Sequence, residues 1–285
     1  MRLEGRREST NVEDRRGKKT VAAAGGIGIG GLIIYLIISL MGGDASAVME
    51  QMQQGGQTQS TTYEHTPEKD SLAKFSRQIL ASTEDVWNKV FAQYGADYQE
   101  PTLVLFDQAV STGCGNATSQ TGPFYCSADQ CLYIDLDFFS EMKNAMGING
   151  DFACAYVIAH EVGHHVQNQL GTLSEKHQEM ARLDKAESNK VSVRIELQAD
   201  FYAGVWGYYE SKMFGSLEDG DLEEAINAAQ KIGDDYLQRQ AGYREVKSDL
   251  FTHGTSQQRM RWLKKGLNTG DLRQGDTFSP SYSSL

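Results

Sequence analysis

Proline is nearly missing from this chain of 285 residues, with four in all. So few breakers, with 40% hydrophobic residues, imply a packed globular core with room for long helices. Positive charge is also short: 27 Lys and Arg stand against 38 Asp and Glu, for a net charge of −11. From residue 42 onward the balance is 20 basic against 34 acidic residues. A surface of that sign repels phosphate backbones and anionic headgroups, so nucleic acid is not expected as a partner. Cysteine is limited to Cys114, Cys126, Cys131 and Cys154, with no Cys-x-x-Cys pair to mark a cysteine zinc site. An even number in an oxidising compartment invites two disulfides, and of the three possible pairings Cys114 with Cys126 and Cys131 with Cys154 is favoured.

Charge of either sign is absent from Val21 to Met41. Twenty-one such residues, strongly apolar from Leu32, predict a transmembrane helix. The preceding residues 1–20 carry seven Lys or Arg against four Asp or Glu. The positive-inside rule then makes them a cytoplasmic leader and places the remainder outside the cytoplasm. Cleavage of this segment after Ala45-Ser46-Ala47 is the rival reading. Residues 42–69, rich in Gly, Gln, Ser and Thr, read as a flexible linker, and residues 70–285 as one exported domain.

Within that domain the apolar spacing predicts helices over 70–80 and 83–94, the second capped by Ser82 and ended by Gly95. Thr102–Phe106, Phe124–Cys126 and Cys131–Leu136 read as strands, with a loop from Cys114 to Cys126. Further helices are expected over 138–146, 151–171, 174–186, 188–213, 217–230, 234–244 and 257–265, the last capped by Thr255 or Ser256. From Asn268 the chain reads as a poorly ordered tail. The fold class is therefore α+β, mostly helical with a small sheet, preceded by one transmembrane helix.

Histidine is scarce too, six residues, yet three of them fall in Ala159-His160-Glu161-Val162-Gly163-His164-His165. His160 and His164 are four residues apart on a helix, about one turn, so both imidazoles can reach a single metal. Glu161 then lies beside that metal as a general base able to move a proton from water to a leaving amine. The helix is apolar on both sides of the motif, and burying two histidines and a glutamate is costly unless they ligate something.

A catalytic zinc takes three protein ligands and keeps a place for water. Gln167 and Leu170 stand where a third nearby ligand motif would need Gly and His, and His177 lies on a charged segment. Glu196 is the better third ligand, in Glu196-Leu197-Gln198-Ala199-Asp200. Asp200, one turn later, can accept from the outer nitrogen of a ligating histidine. Ala199, Ala203 and Gly204 let this helix approach the first closely. His253, in Phe251-Thr252-His253-Gly254, is a candidate donor to the oxyanion of the transition state, with Tyr125, Tyr133 and Tyr202 as alternatives.

His-Glu-x-x-His followed by Glu-x-x-Ala-Asp resembles the gluzincin layout. More closely, the chain resembles the bacterial family of predicted neutral zinc metallopeptidases, through Thr112-Gly113-Cys114-Gly115, Gly122-Pro123-Phe124-Tyr125-Cys126, Tyr133-Ile134-Asp135-Leu136, the two metal motifs, Gly233-Asp234-Asp235 and Phe251-Thr252-His253-Gly254. The resemblance implies a membrane-tethered protein with a zincin-like domain, Zn2+ as cofactor and a peptide or protein substrate. The competing class is a non-catalytic zinc-containing envelope protein that binds peptides or partner proteins.

Overall fold

Residues 1–17 and 66–285 are described by the computed structural model. Strand β1 (Val12–Asp14) is followed by α1 (Pro67–Gln93), β2 (Thr102–Phe106), β3 (Ala109–Thr112), β4 (Gly115–Thr118), β5 (Phe124–Cys126) and β6 (Cys131–Asp135). Then come α2 (Asp137–Met146), α3 (Asp151–Gln169), α4 (Thr172–Met180), α5 (Lys185–Phe214), α6 (Asp221–Lys231), α7 (Asp234–Gln240) and α8 (Ser256–Thr269). The strands form a four-stranded sheet in the order β1-β2-β6-β5, with β3 and β4 as a separate hairpin. β1, β2 and β6 run parallel, while β5 is antiparallel to β6 and forms the sheet edge beside α3.

Two expected helices are one. Thr66 caps α1 by accepting from the Lys69 amide at 3.2 Å, and Pro67 supplies the first turn. Ser82 does not interrupt it. Its hydroxyl donates to Glu210 and accepts from Trp206 Nε1 at 2.8 Å, so this polar side chain is used on α5 and leaves the backbone helical. The loop expected between Cys114 and Cys126 instead begins with the β3–β4 hairpin, whose turn holds Cys114.

Small residues set the helix spacing. A Cβ on Gly163 of α3 would lie 2.9 Å from the Ala199 carbonyl oxygen of α5. One on Gly204 would lie 2.2 Å from the Leu263 carbonyl oxygen of α8. Ala199 thus faces α3 as expected, whereas Gly204 serves the α5–α8 contact. The apolar core joins α1, the sheet, α3, α5 and α8 around Trp87, Tyr156, Phe152 and Trp206, all at most 1% exposed.

The C-terminal residues expected to be disordered pack along α5. Arg194 donates to the carbonyls of Thr277, Phe278 and Pro280, and Gln198 to that of Gly275 at 2.9 Å. Cys114 and Cys126 form a disulfide, while Cys131 and Cys154 are free. The second expected bond fails because Cys131 sits on β6 opposite Cys126, packed against a small cluster on the far side of the sheet, whereas Cys154 on α3 packs against the main core.

The fold-class and localisation expectations need correction. The segment 21–41 expected to cross a membrane lies outside the described residues, and among these no helix is long and apolar enough to cross one. The leader is built into the same body as the domain it was expected to be separated from. β1 pairs with β2 in register from Val12 with Leu103 to Asp14 with Leu105. The Met1 ammonium lies 3.2 Å from Asp221, Arg6 2.8 Å from Glu210 and Arg7 2.8 Å from Glu84. A leader whose strand completes the sheet cannot lie across a bilayer from that sheet. The single-pass topology, with a cytoplasmic N-terminus and an extracytoplasmic domain, is therefore overturned.

Candidate metal centre

Helices α3 and α5 cross where Gly163 meets Ala199, and that contact brings their polar residues face to face. His160 and His164 sit one turn apart on α3 with ring centroids 4.9 Å apart. From α5, Glu196 enters between them: its Oε2 lies 3.1 Å from His160 Nε2 and its Oε1 3.4 Å from His164 Nε2. One ligand atom from each of the three lies within 4.8 Å of the others, with no further His, Cys, Asp or Glu of the described residues in the group.

Both imidazoles are aimed from behind. His160 Nδ1 lies 2.9 Å from Asp200 Oδ1, and His164 Nδ1 lies 2.9 Å from Gln167 Oε1. An oxygen acceptor at Nδ1 holds the proton there and turns Nε2 toward the shared space. Gln167 is itself fixed, donating to the Ile195 carbonyl at 2.7 Å and to Gln198 Oε1 at 3.1 Å. Two imidazoles and one carboxylate, each oriented, are the donor chemistry that suits zinc with a place left for water. His160, His164 and Glu196 would hold it.

Asp200 is fully buried. Besides His160 it accepts from Tyr156 Oη at 2.5 Å and from Arg259 of α8 twice, Nε to Oδ2 at 2.8 Å and Nη2 to Oδ1 at 2.9 Å. Burial opposes its charge, but the Arg259 guanidinium and the bonds to His160 hold its pKa down, to about 2. Burial opposes charge on His160 as well, and Asp200 and Glu196 outweigh it to raise that imidazole to about 10. Glu196 is held well below its usual range, burial being overcome by His164, His253 and His160. Glu161, 8% exposed, goes the other way: burial raises its pKa, only partly offset by His164 and His160. It lines the same cavity, of about 500 Å³, as the three candidate ligands.

His253 reaches this cavity from the turn before α8. Asp234, the first residue of α7, pins that turn: its Oδ2 accepts from the amides of Thr252, His253 and Gly254 at 2.8, 2.7 and 2.9 Å. Its Oδ1 lies 3.3 Å from His253 Nδ1. Gly254, at φ +95°, makes the turn possible. Burial lowers the His253 pKa, and the negative charges of Glu196 and Asp234 more than reverse this.

The alternative donors are engaged elsewhere. Tyr125 Oη meets His165 Nδ1 at 3.0 Å and Asn168 at 3.1 Å, Tyr133 donates to Asp129 at 2.7 Å, and Tyr202 packs edge-on to Trp87 in the core. His177 lines the cavity wall without joining the donor group, and His165 is a strut between α3 and β5. Sequence reasoning missed Arg259, Tyr156, Gln167 and Asp234. Of these, Asp234 stood in the singled-out Gly233-Asp234-Asp235, and Tyr156 and Gln167 in the stretch around the two histidines, all without an assigned role, while Arg259 stood in no motif.

Two oriented histidines, a carboxylate from a second helix and a buried glutamate beside them form a candidate centre of the zinc-metallopeptidase type. The chain belongs to the family described as "Putative neutral zinc metallopeptidase", whose profile matches residues 1–278. It is 49% identical over 289 residues to the Escherichia coli K12 protein named "Uncharacterized protein YpfJ", covering 99% of this chain and all of that one. It is 41% identical over 208 residues to "Uncharacterized protein Rv2575" of Mycobacterium tuberculosis H37Rv, covering 70% of this chain and 68% of the relative. No solved structure matches.

Proposed function

We propose that this chain is a zinc-dependent endopeptidase with Glu161 as its general base. The observation that carries the reading is the position of Glu161: buried in the cavity wall next to three oriented donors, with its carboxyl pKa raised by that burial. Zinc, when bound, supplies a Lewis acid that acidifies water and polarises the substrate carbonyl. Glu161 accepts the proton of the attacking water and delivers it to the leaving amine, a role that suits a raised pKa because the group must both take and release a proton. Asp200 and Gln167 keep the two imidazoles in place during this transfer. His253, held at Nδ1 by Asp234, donates from Nε2 to the oxyanion that develops on the carbonyl oxygen.

Metal analysis of the purified full-length protein, with degradation of an unstructured protein before and after chelation, tests the proposal. The expected result is bound zinc and hydrolysis that chelation removes and zinc restores. Hydrolysis indifferent to chelation, or none in the zinc-loaded protein, overturns it.

A further inference from the structure

The cavity at the metal centre is bounded by two apolar walls that belong to different parts of the core. One apolar set is Phe138, Met142 and Met146, a stripe at every fourth residue of α2, with Val157 of α3. These pack on or within the main apolar cluster. A second set is Leu173 and Met180 of α4 with Ile195 of α5, which belong to a separate cluster. His160, Glu161, His164 and Glu196 line the same cavity.

The walls offer no charge to a substrate side chain. Among the cavity-lining residues, the charged groups are Glu161, Glu196 and Arg259, beside the histidines. Glu196 faces His160 and His164, Arg259 is taken up by Asp200, and Glu161 is given over to the attacking water in the reading above. A charged side chain lodged there would lose its hydration without gaining a partner. An apolar one would leave water for a surface of its own kind. Three of the seven wall residues are methionines, unbranched and adaptable, which suits apolar side chains of differing shape.

We infer that the two walls are subsites for bulky apolar residues on either side of the scissile bond, and that the substrates are unfolded polypeptide segments. Adjacent bulky apolar residues are mostly buried in folded proteins and accessible in unfolded ones. This rests on the peptidase reading above and deepens it.

The test uses three fluorogenic peptides with one Gly/Ser frame and Leu-Phe, Ala-Ala or Lys-Glu at the centre. Zinc-loaded wild-type protein is assayed for kcat/KM, and Glu161→Gln protein for binding by anisotropy. Both readouts are expected to rank Leu-Phe above Ala-Ala above Lys-Glu, with roughly tenfold or more between neighbours. Met146→Glu and Met180→Glu, each at a half-buried wall position, should each lower kcat/KM for Leu-Phe at least tenfold at unchanged zinc content, and the Ala-Ala peptide less. If either variant fails to fold, the wild-type ranking decides. Hydrolysis without this ranking overturns the apolar subsites and leaves the peptidase reading standing. Ranked binding with no hydrolysis overturns the peptidase reading and leaves the subsites. Neither binding nor hydrolysis overturns both.

Discussion

Arg259 closes on Asp200 with two prongs of its guanidinium, at 2.8 and 2.9 Å, and both side chains are at most 4% exposed. Asp200 in turn holds His160 Nδ1, so a residue of α8 reaches the candidate metal centre through one carboxylate. A planar fork matched to both carboxylate oxygens fixes the angle of that carboxylate, and hence of the imidazole. Replacing Arg259 by Leu strands a buried charge. It should cost about 3–5 kcal/mol in thermal or denaturant unfolding, and lower zinc affinity roughly 10- to 100-fold in a chelator competition. Wild-type zinc affinity in a folded Arg259→Leu protein would show that Asp200 needs no such support.

Asp200 also predicts an acid limit. Its folded pKa of about 2 lies below the ordinary 3.8, so the unfolded chain binds the proton more readily than the folded one. Its stabilising contribution is complete above about pH 4 and is lost as pH falls from there toward 2. The size is about 2 kcal/mol. Unfolding measured between pH 5 and 2.5 should show this loss, and Asp200→Asn should flatten it. An unchanged pH slope in that variant would refute the assignment.

The α3–α5 contact leaves no room for a methyl group at residue 163. A Cβ there would lie 2.9 Å from the Ala199 carbonyl oxygen and 3.2 Å from its Cα, backbone atoms that cannot rotate away. Gly163→Ala should destabilise by about 1–3 kcal/mol. Because residue 163 lies between His160 and His164, and Ala199 between Glu196 and Asp200, the shift should also weaken zinc binding. A variant as stable as wild type with unaltered zinc affinity would mean the helices are less closely held.

Thiol counting separates the observed disulfide pattern from the one expected from sequence. Denatured, unreduced protein should show two reactive thiols, Cys131 and Cys154, and four after reduction. In the native protein both should react slowly. Burial pushes the Cys131 thiol up to about 11, with Asp129 adding to it, and burial pushes Cys154 up to about 12. No free thiol in denaturant would establish the second bond instead. Opening the Cys114–Cys126 bond should cost roughly 2–4 kcal/mol, from the freedom returned to the unfolded chain.

What could be seen in the sequence was local. The pairing of His160 with His164 follows from one helical turn, and the approach of Glu196 and Asp200 from a second helix with apolar neighbours. The β5–β6 hairpin and the Thr255 cap follow from turn and capping chemistry within a few residues. Contacts set by the tertiary fold left no local mark. Arg259 lies 59 residues beyond Asp200 and reads, by itself, as one more base on a basic helix. Ser82 looked like a cap because its partners Glu210 and Trp206 are more than 120 residues away. Val12–Asp14 is too short to announce itself as a strand, and a basic leader before a charge-free run resembles a cytoplasmic anchor unless its pairing with β2 is known.

The role proposed for Glu161 is to move the proton in peptide hydrolysis at this centre. The most direct measurement compares wild-type and Glu161→Gln proteins at equal, verified zinc content on one unstructured protein substrate. The variant is expected to keep its zinc and its fold and to lose hydrolysis by at least 10²-fold, the range expected for removal of a general base. Hydrolysis by the variant at the wild-type rate would contradict it.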